Sequence, residues 1–114
     1  MSIEKEEKEG VLIYRLSGTF DMKTSNEFRE IFLQDIDTRE PKAIVINLAG
    51  VMFMDSTAIG VLIVGNRRYG KKNRMRVTAL PDRIIELFEV TALNQIFAID
   101  VTEEESLQKI RELK

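Results

Sequence analysis

The strongest constraint on the fold of this chain is a short and almost entirely apolar run at residues 43–48, AIVINL. A run of this kind suits a strand that is buried on both faces, as in a parallel sheet covered by helices. Similar runs at 11–16, 75–79 and 96–99 alternate with segments in which apolar residues recur at helical spacing. This alternation predicts an α/β fold in which right-handed crossovers join mostly parallel strands.

Two longer segments have the apolar spacing of amphipathic helices. Thr24 and Glu27 fit a capping box, which predicts a helix over residues 24–37 with Thr24 as its N-cap. A second helix is predicted over residues 58–69, and Gly70 is a natural place for it to end. The first half of this second helix is apolar on nearly all sides, which indicates deep packing.

The remaining predicted elements are shorter. Pro81 suits the first turn of a short helix, and Thr102 with Glu105 forms a second capping box that predicts a last helix. Residues 3–8 alternate weakly and are predicted as an edge strand, antiparallel to the strand that follows. Together the elements predict a four- to five-stranded mixed, mostly parallel sheet with about four helices, in a single domain of residues 1–114.

Composition narrows the possible functions. The chain of 114 residues has 17 Lys+Arg against 19 Asp+Glu, and a net charge of −2 makes it a poor general binder of nucleic acid. It contains neither His nor Cys, which excludes a histidine base, a Ser–His dyad, and imidazole or thiolate metal ligands. We therefore expect an interaction module and not an enzyme, with no catalytic residues, metal or cofactor.

The sequence contains no segment that suggests export or membrane insertion. Most of the first nine residues are charged, and the longest apolar stretch, residues 58–65, is eight residues long. A membrane span needs about twenty apolar residues. We therefore expect a cytoplasmic protein that makes no membrane contact.

The most informative segment is residues 47–62, NLAGVMFMDSTAIGVL. The segment is predicted to begin in a strand and to turn at Gly50. Residues 52–54 are predicted to lie in the core, and a buried helix then begins at Asp55 and Ser56. Because Asp and Ser are both good N-cap residues, one interpretation is that Ser56 only caps the helix. The other interpretation is that Ser56 is exposed at the start of the helix and accepts a phosphoryl group.

Phosphorylation at a helix start would change the surface and leave the fold intact. Free backbone N–H groups and the helix dipole favour an anion there, and the phosphate adds roughly −1.5 to −2 charge. A partner packed on this surface would then meet repulsion from the phosphate and from Asp55. We therefore predict that phosphorylation of the Ser56 hydroxyl acts as a binding switch, with the Thr57 hydroxyl as a minor alternative acceptor.

Residues 65–72, GNRRYGKK, nearly match the phosphate-binding Walker A loop. The hydroxyl residue that binds magnesium is replaced by Lys72, and the segment is predicted to end a helix instead of joining a strand to one. A solvated cationic helix end is therefore the better interpretation. A use in docking an acidic partner surface stays open for Arg67, Arg68, Lys71, Lys72 and Arg74.

The central segment resembles the signature of the STAS domain family, the anti-sigma factor antagonists. The matching residues are Leu48, Val51, Phe53, Met54, Asp55, Ser56, Gly60 and Leu62. The resemblance continues through residues 16–21, 24–32 and 80–93, so nearly the whole chain is covered. It implies a STAS-like α/β fold.

The resemblance also implies a mechanism. In that family the serine matching Ser56 is phosphorylated by a partner that is both an anti-sigma factor and a serine kinase. The unphosphorylated form binds this partner and frees a sigma factor, phosphorylation breaks the complex, and a phosphatase restores it. Positions near the site or in the partner surface are then Asp21, Asn47, Asp55, Thr57, Ala58, Ile59 and Gly60.

Two residues depart from the family pattern. Asn47 stands where Asp is common, which removes a charge that bears on phosphoryl transfer or partner choice. Ala58 stands where Gly is common, a mild change in a helix. The main alternative function is a STAS sensor or scaffold module in a larger signalling complex without direct sigma control. A serine hydrolase or an NTPase is a further alternative, which the missing histidine and the incomplete Walker A loop oppose.

Overall fold

The computed structural model describes residues 2–113, which form five strands, four helices and two short 3-10 turns. The strands are β1 (Ser2–Lys8), β2 (Val11–Phe20), β3 (Ala43–Met54), β4 (Met75–Thr78) and β5 (Ala98–Asp100). The helices are α1 (Met22–Arg39), α2 (Ser56–Tyr69), α3 (Asp82–Val90) and α4 (Glu103–Arg111). The 3-10 turns are Lys71–Asn73 and Leu93–Gln95.

The strands lie in the sheet in the same order as along the chain, β1-β2-β3-β4-β5. β1 pairs antiparallel with β2, and every other neighbouring pair is parallel. This arrangement confirms the predicted mixed, mostly parallel sheet with four helices, and also the weakly supported edge strand. Because β2, β3 and β4 all point the same way, their carboxyl ends lie at one edge of the sheet, where ligand sites of α/β folds gather.

The two faces of the sheet are covered unequally. Helices α1, α2 and α3 pack on one face, where Tyr14 of β2 makes edge-to-face contacts with Phe28 and Phe32 of α1. Helix α4 alone packs on the other face, through Ile110 and the partly buried Leu107. Alternation along the strands produces this division, since successive side chains of a strand point to opposite faces.

Ionic contacts supplement the small apolar contact of α4. Asp100 accepts hydrogen bonds from Arg76, from Ser106 Oγ at 2.7 Å and from Lys109 Nζ at 2.7 Å. Burial opposes ionisation of Asp100, but the hydrogen bonds from these three groups prevail and lower its pKa to about 2. A charged carboxylate inside the protein thus joins β4, β5 and α4.

The predicted turn at Gly50 is wrong, because β3 continues through this residue to Met54. Gly50 pairs with Ser17 of β2, and a Cβ atom on Gly50 would lie only 2.6 Å from the Cβ of Ser17. The glycine therefore allows two backbones to approach closely, next to irregularities in the register. β2 and β3 consequently extend as a pair beyond Thr78, the last residue of β4.

The predicted N-cap of the first helix is also wrong. Helix α1 begins at Met22, and its N-cap is Asp21. The Asp21 carboxylate accepts from Thr24 N at 3.0 Å, and the Thr24 hydroxyl accepts from Asp21 N at 3.0 Å. Thr24 thus takes the reciprocal place in the capping box that was predicted for Glu27.

Other boundaries shift by a residue or two. Helix α2 begins at Ser56, Pro81 is the N-cap residue of α3 and does not lie in its first turn, and β5 begins at Ala98. At α4 the Thr102 hydroxyl accepts from the backbone N–H of Glu105, as predicted. The Glu105 carboxylate, however, accepts from Val101 N and not from Thr102, so the second capping box is only half formed.

Candidate functional site

Ser56 is the first residue of helix α2 and is exposed. The residue before it, Asp55, is the N-cap, and its carboxylate accepts hydrogen bonds from Thr57 N at 2.9 Å and Ala58 N at 3.1 Å. Capping therefore falls to Asp55 and does not involve the Ser56 hydroxyl. Of the two interpretations of Ser56, the structure removes the one in which the serine only caps the helix.

A second acidic cap lies beside the first. Phe20 and Met54 are paired at the ends of β2 and β3, and Asp55 N donates to Phe20 O at 3.0 Å. Asp21 and Asp55 therefore follow neighbouring strands at the same edge of the sheet, and each caps the helix that comes next. The backbone hydrogen bond from Thr24 lowers the pKa of Asp21, so this exposed carboxylate is charged near neutral pH.

The other predicted residues of α2 differ in accessibility. Ala58 is buried in the core, whereas Thr57, Ile59 and Gly60 are half-buried. A Cβ atom on Gly60 would meet no other atom within 4 Å, so this glycine faces open space. Ser56 thus offers a more exposed hydroxyl than Thr57 does.

Asn47 does not join this group. It lies in β3 on the face that α4 covers, where its Nδ2 donates to Glu103 Oε1 at 3.1 Å and its Oδ1 accepts from Ala49 N at 2.9 Å. Seven residue steps of β3 separate it from Met54, roughly 20 Å along an extended strand. The structure therefore brings Asp21, Asp55 and Ser56 together but leaves Asn47 in a different environment.

Two apolar residues that sequence reasoning assigned to the core are on the surface. Met52 is 68% exposed and Phe53 is 50% exposed, whereas Met54 is buried as predicted. Phe53 also borders an open groove of about 380 Å³ between the end of β3 and helix α3. The other lining residues are Met54, Arg83, Ile84, Glu86, Leu87 and Val90. The sequence contained a signal for this exposure, because the three large apolar residues 52–54 follow an apolar run, residues 43–48, that is already long enough for a buried strand.

Clustered carboxylates and membrane-spanning helices are two features that bear on the chemistry of the edge that carries Ser56. Among residues 2–113 no three Asp or Glu side chains gather as a metal site would require. None of the helices in this range combines the length and apolar character of a membrane span. At this edge the exposed Ser56 hydroxyl lies near charged and apolar neighbours.

A family model and the curated relatives agree on the family to which this chain is related. The family model described as the STAS domain matches residues 2–106. The Anti-sigma F factor antagonist of Paenibacillus polymyxa is 32% identical over 111 residues, which cover 96% of this chain and 95% of that protein. The Anti-sigma-B factor antagonist of Staphylococcus aureus (strain NCTC 8325 / PS 47) is 29% identical over 104 residues, which cover 88% and 93%.

Solved structures have the same fold. A putative anti-sigma factor antagonist from Thermotoga maritima superposes with a TM-score of 0.88 at 15% identity, covering 96% of this chain and 95% of that one. An anti-sigma factor antagonist from Mycobacterium paratuberculosis also gives 0.88, at 24% identity and with coverages of 97% and 94%. With a family model that matches nearly its whole length, the chain belongs to the STAS domain family, and its relatives are anti-sigma factor antagonists, which are non-enzymatic regulators.

Proposed function

We propose that this protein is an anti-sigma factor antagonist controlled by phosphorylation of Ser56. The unphosphorylated form binds an anti-sigma factor that is also a serine kinase, and so frees a sigma factor. Phosphorylation releases the complex, and a phosphatase resets it. The observation that carries the proposal is the exposed Ser56 hydroxyl at the start of α2, next to a cap that Asp55 provides by itself.

The cap explains why a phosphate on Ser56 would leave the backbone unchanged. Asp55 accepts from Thr57 N and Ala58 N, so the first turn of α2 is held without any contribution from the serine. The phosphate would lie on the solvent side of this turn, where the helix dipole favours a negative group. The protein would keep its fold, and only the surface that a partner meets would change.

The surroundings explain why a phosphate would expel a partner. Met52 and Phe53 are exposed a few residues before Ser56 and supply apolar area that a docked protein would cover. Asp21 and Asp55 are carboxylates at the same edge. A phosphate adds roughly −1.5 to −2 charge beside them, and the partner would have to desolvate it while meeting repulsion.

The names of the relatives support the class of partner. The curated relatives from P. polymyxa and S. aureus are both antagonists of anti-sigma factors. Their matches extend over most of the chain, including the segment around Ser56. An anti-sigma factor is therefore the first partner to test.

The test is a phosphorylation assay with site mapping by mass spectrometry. The protein is incubated with ATP and the cognate anti-sigma factor, with Ser56→Ala and Thr57→Ala as parallel substrates. We expect one phosphate on Ser56, loss of labelling in Ser56→Ala, and normal labelling in Thr57→Ala. No phosphate at either residue, or labelling that persists in Ser56→Ala, would contradict the proposal.

A binding experiment tests the role of the charge. We expect Ser56→Ala to bind the anti-sigma factor like the native protein and Ser56→Asp to bind at least about tenfold more weakly, because the new carboxylate is a like charge in the contact area. Ser2→Asp is the matched control, since it adds the same charge to an exposed serine on β1. Equal affinities for Ser56→Ala and Ser56→Asp would rule out charge-gated docking.

A further inference from the structure

A second charged surface lies at the opposite edge of the sheet, where β3 and β4 begin. Lys42 precedes β3 and Arg74 precedes β4, and Ile44 N donates to Arg74 O at 2.8 Å, which holds the two strand starts together. The last turn of α2 and the 3-10 turn after it add further cations beside them. We call this set the basic surface: Lys42, Arg67, Lys71, Lys72 and Arg74.

Most other Lys and Arg side chains of the described chain have carboxylate partners, whereas the cations of the basic surface have none among residues 2–113. Seven other Lys and Arg residues form ion pairs: Lys5, Arg15, Arg39, Arg68, Arg76, Lys109 and Arg111. Within residues 2–113 none of the five cations of the basic surface forms one. Uncompensated positive charge is thus concentrated at this edge, although the net charge of the chain is −2.

Part of the basic surface forms a cleft of about 90 Å³. Lys42, Arg74 and Arg111 line it, together with the apolar Ile110 and Leu113. The cleft has room for several water molecules, a size that suits one small anionic group. Two cations of the basic surface, Lys42 and Arg74, therefore face a space for an anion together with Arg111, which also contacts Glu9.

The neighbouring contacts indicate which kind of anion fits. Carboxylates already pair with cations at the border of this surface, since Arg68 contacts Asp37 at 2.8 Å and Arg111 contacts Glu9 at 3.7 Å. A nucleic acid would need many phosphate contacts over a wider area.

We propose that the basic surface binds an acidic segment of a protein partner, at a site separate from the surface around Ser56. Helix α2 has 14 residues, so its two ends are about 21 Å apart. Ser56 is at one end, and Arg67 is in the last turn at the other. The two surfaces can therefore be occupied at the same time. When the anti-sigma factor of the proposed function is docked at Ser56, this protein joins an acidic partner to it.

The test is calorimetric titration of the full-length protein with a twelve-residue glutamate-rich peptide, at about 0.15 M salt so that weak long-range attraction is screened. The variant Lys71→Glu/Lys72→Glu reverses two charges of the basic surface. The matched control, Lys23→Glu/Arg29→Glu, makes the same change in net charge at two exposed residues in the first half of α1, which begins at the opposite edge of the sheet. We expect the native protein and the control to bind alike, and the basic-surface variant to bind at least about tenfold more weakly.

Further arms distinguish the alternatives. Ser56→Asp should bind the peptide like the native protein, so failure of the switch at Ser56 and failure of the basic surface give different results. Absence of peptide binding, or equal weakening in both double variants, would overturn the proposal. Tighter binding of a single-stranded oligonucleotide or of phosphatidylserine vesicles than of the peptide would also overturn it, in favour of nucleic acid or an anionic membrane.

Discussion

At the scale of single residues, Gly60 and Gly65 lie on the same helix, but a methyl group would meet opposite surroundings at the two positions. A Cβ atom on Gly65 would lie 2.5 Å from Phe32 Cζ and 3.0 Å from Met75 Sδ, whereas one on Gly60 would contact nothing within 4 Å. Phe32 cannot easily move away, because it is buried and stacks on Phe28 at 5.1 Å between ring centroids.

We therefore expect the two Gly→Ala substitutions to change stability in opposite directions. Gly65→Ala should destabilise the protein by roughly 1–3 kcal/mol through overpacking. Gly60→Ala should stabilise it by about 0.5–1 kcal/mol, because alanine is the better helix former. Urea denaturation measures both, with each variant as the control for the other. A Gly65→Ala protein as stable as the native one would show that α1 and α2 separate easily.

A second residue-scale prediction concerns Asn47, whose amide donates to Glu103 Oε1. Replacement by Asp keeps the acceptor for Ala49 N but sets a carboxylate against Glu103. We expect Asn47→Asp to destabilise the protein by about 1–3 kcal/mol at pH 7. The loss should shrink as the pH falls and one carboxylate takes up a proton.

Asn47→Ala is the control, because it removes the hydrogen bond without adding charge. Its stability deficit, measured by urea denaturation between pH 7 and pH 4, should depend less on pH than that of Asn47→Asp. If the two variants respond alike to pH, repulsion from Glu103 is not the cause of the destabilisation.

The sequence predicted part of the candidate site. The sequence predicted that Asp55 and Ser56 lie together at a helix start. Because both are good N-cap residues, composition alone did not decide which of them caps the helix. The division follows from the backbone, which makes Asp55 the N-cap and Ser56 the first helical residue. The exposure of Met52 and Phe53 was missed, because it depends on how far β3 extends, together with β2, beyond the end of β4.

At the scale of secondary-structure elements, α2 depends on Asp55 for its first turn. We expect Asp55→Ala to destabilise the protein by about 1 kcal/mol, since Thr57 N and Ala58 N lose their acceptor. Asp55→Asn keeps an acceptor oxygen and should be close to native in thermal unfolding. An Asp55→Asn protein as unstable as Asp55→Ala would mean that charge, and not capping, is what the helix requires.

The types of the elements followed from the sequence more readily than their ends. Apolar runs, helical spacing and, for β1, a weak alternation identified the five strands and four helices of residues 2–113. The ends depended on contacts between distant segments, which periodicity does not contain. Gly50 resembled a turn residue, yet it lies within a strand because Ser17 of β2 approaches it closely. Thr24 resembled an N-cap, yet Asp21 precedes it at the end of β2 and takes that place.

At the scale of the whole molecule, polar and apolar contacts are divided between the two faces of the sheet. The face under α1, α2 and α3 carries the large apolar core, and this core positions the start of α2. Helix α4 has a much smaller apolar contact and relies on Asp100 and Glu103. Arg15 lowers the pKa of Glu103 by donating to it, just as the contacts of Asp100 lower that of Asp100. Attachment of α4 should therefore depend on pH more than the rest of the fold does.

The expected dependence on pH follows from the sign of these shifts. The pKa of Asp100 is lowered from 3.8 to about 2 in the folded state, so its ionised form stabilises the protein above pH 4. This contribution, on the order of 2 kcal/mol, is lost as the pH falls from about 4 to about 2. Amide exchange by NMR should show α4 losing protection over this range before β2 and β3 do.

Asp100→Asn, which leaves Arg76 buried beside a neutral group, should cost about 3 kcal/mol at pH 7 and flatten the decline. Glu104→Gln, which removes an exposed carboxylate of the same helix, should reproduce the native profile. A decline as steep in Asp100→Asn as in the native protein would assign the acid sensitivity to other groups.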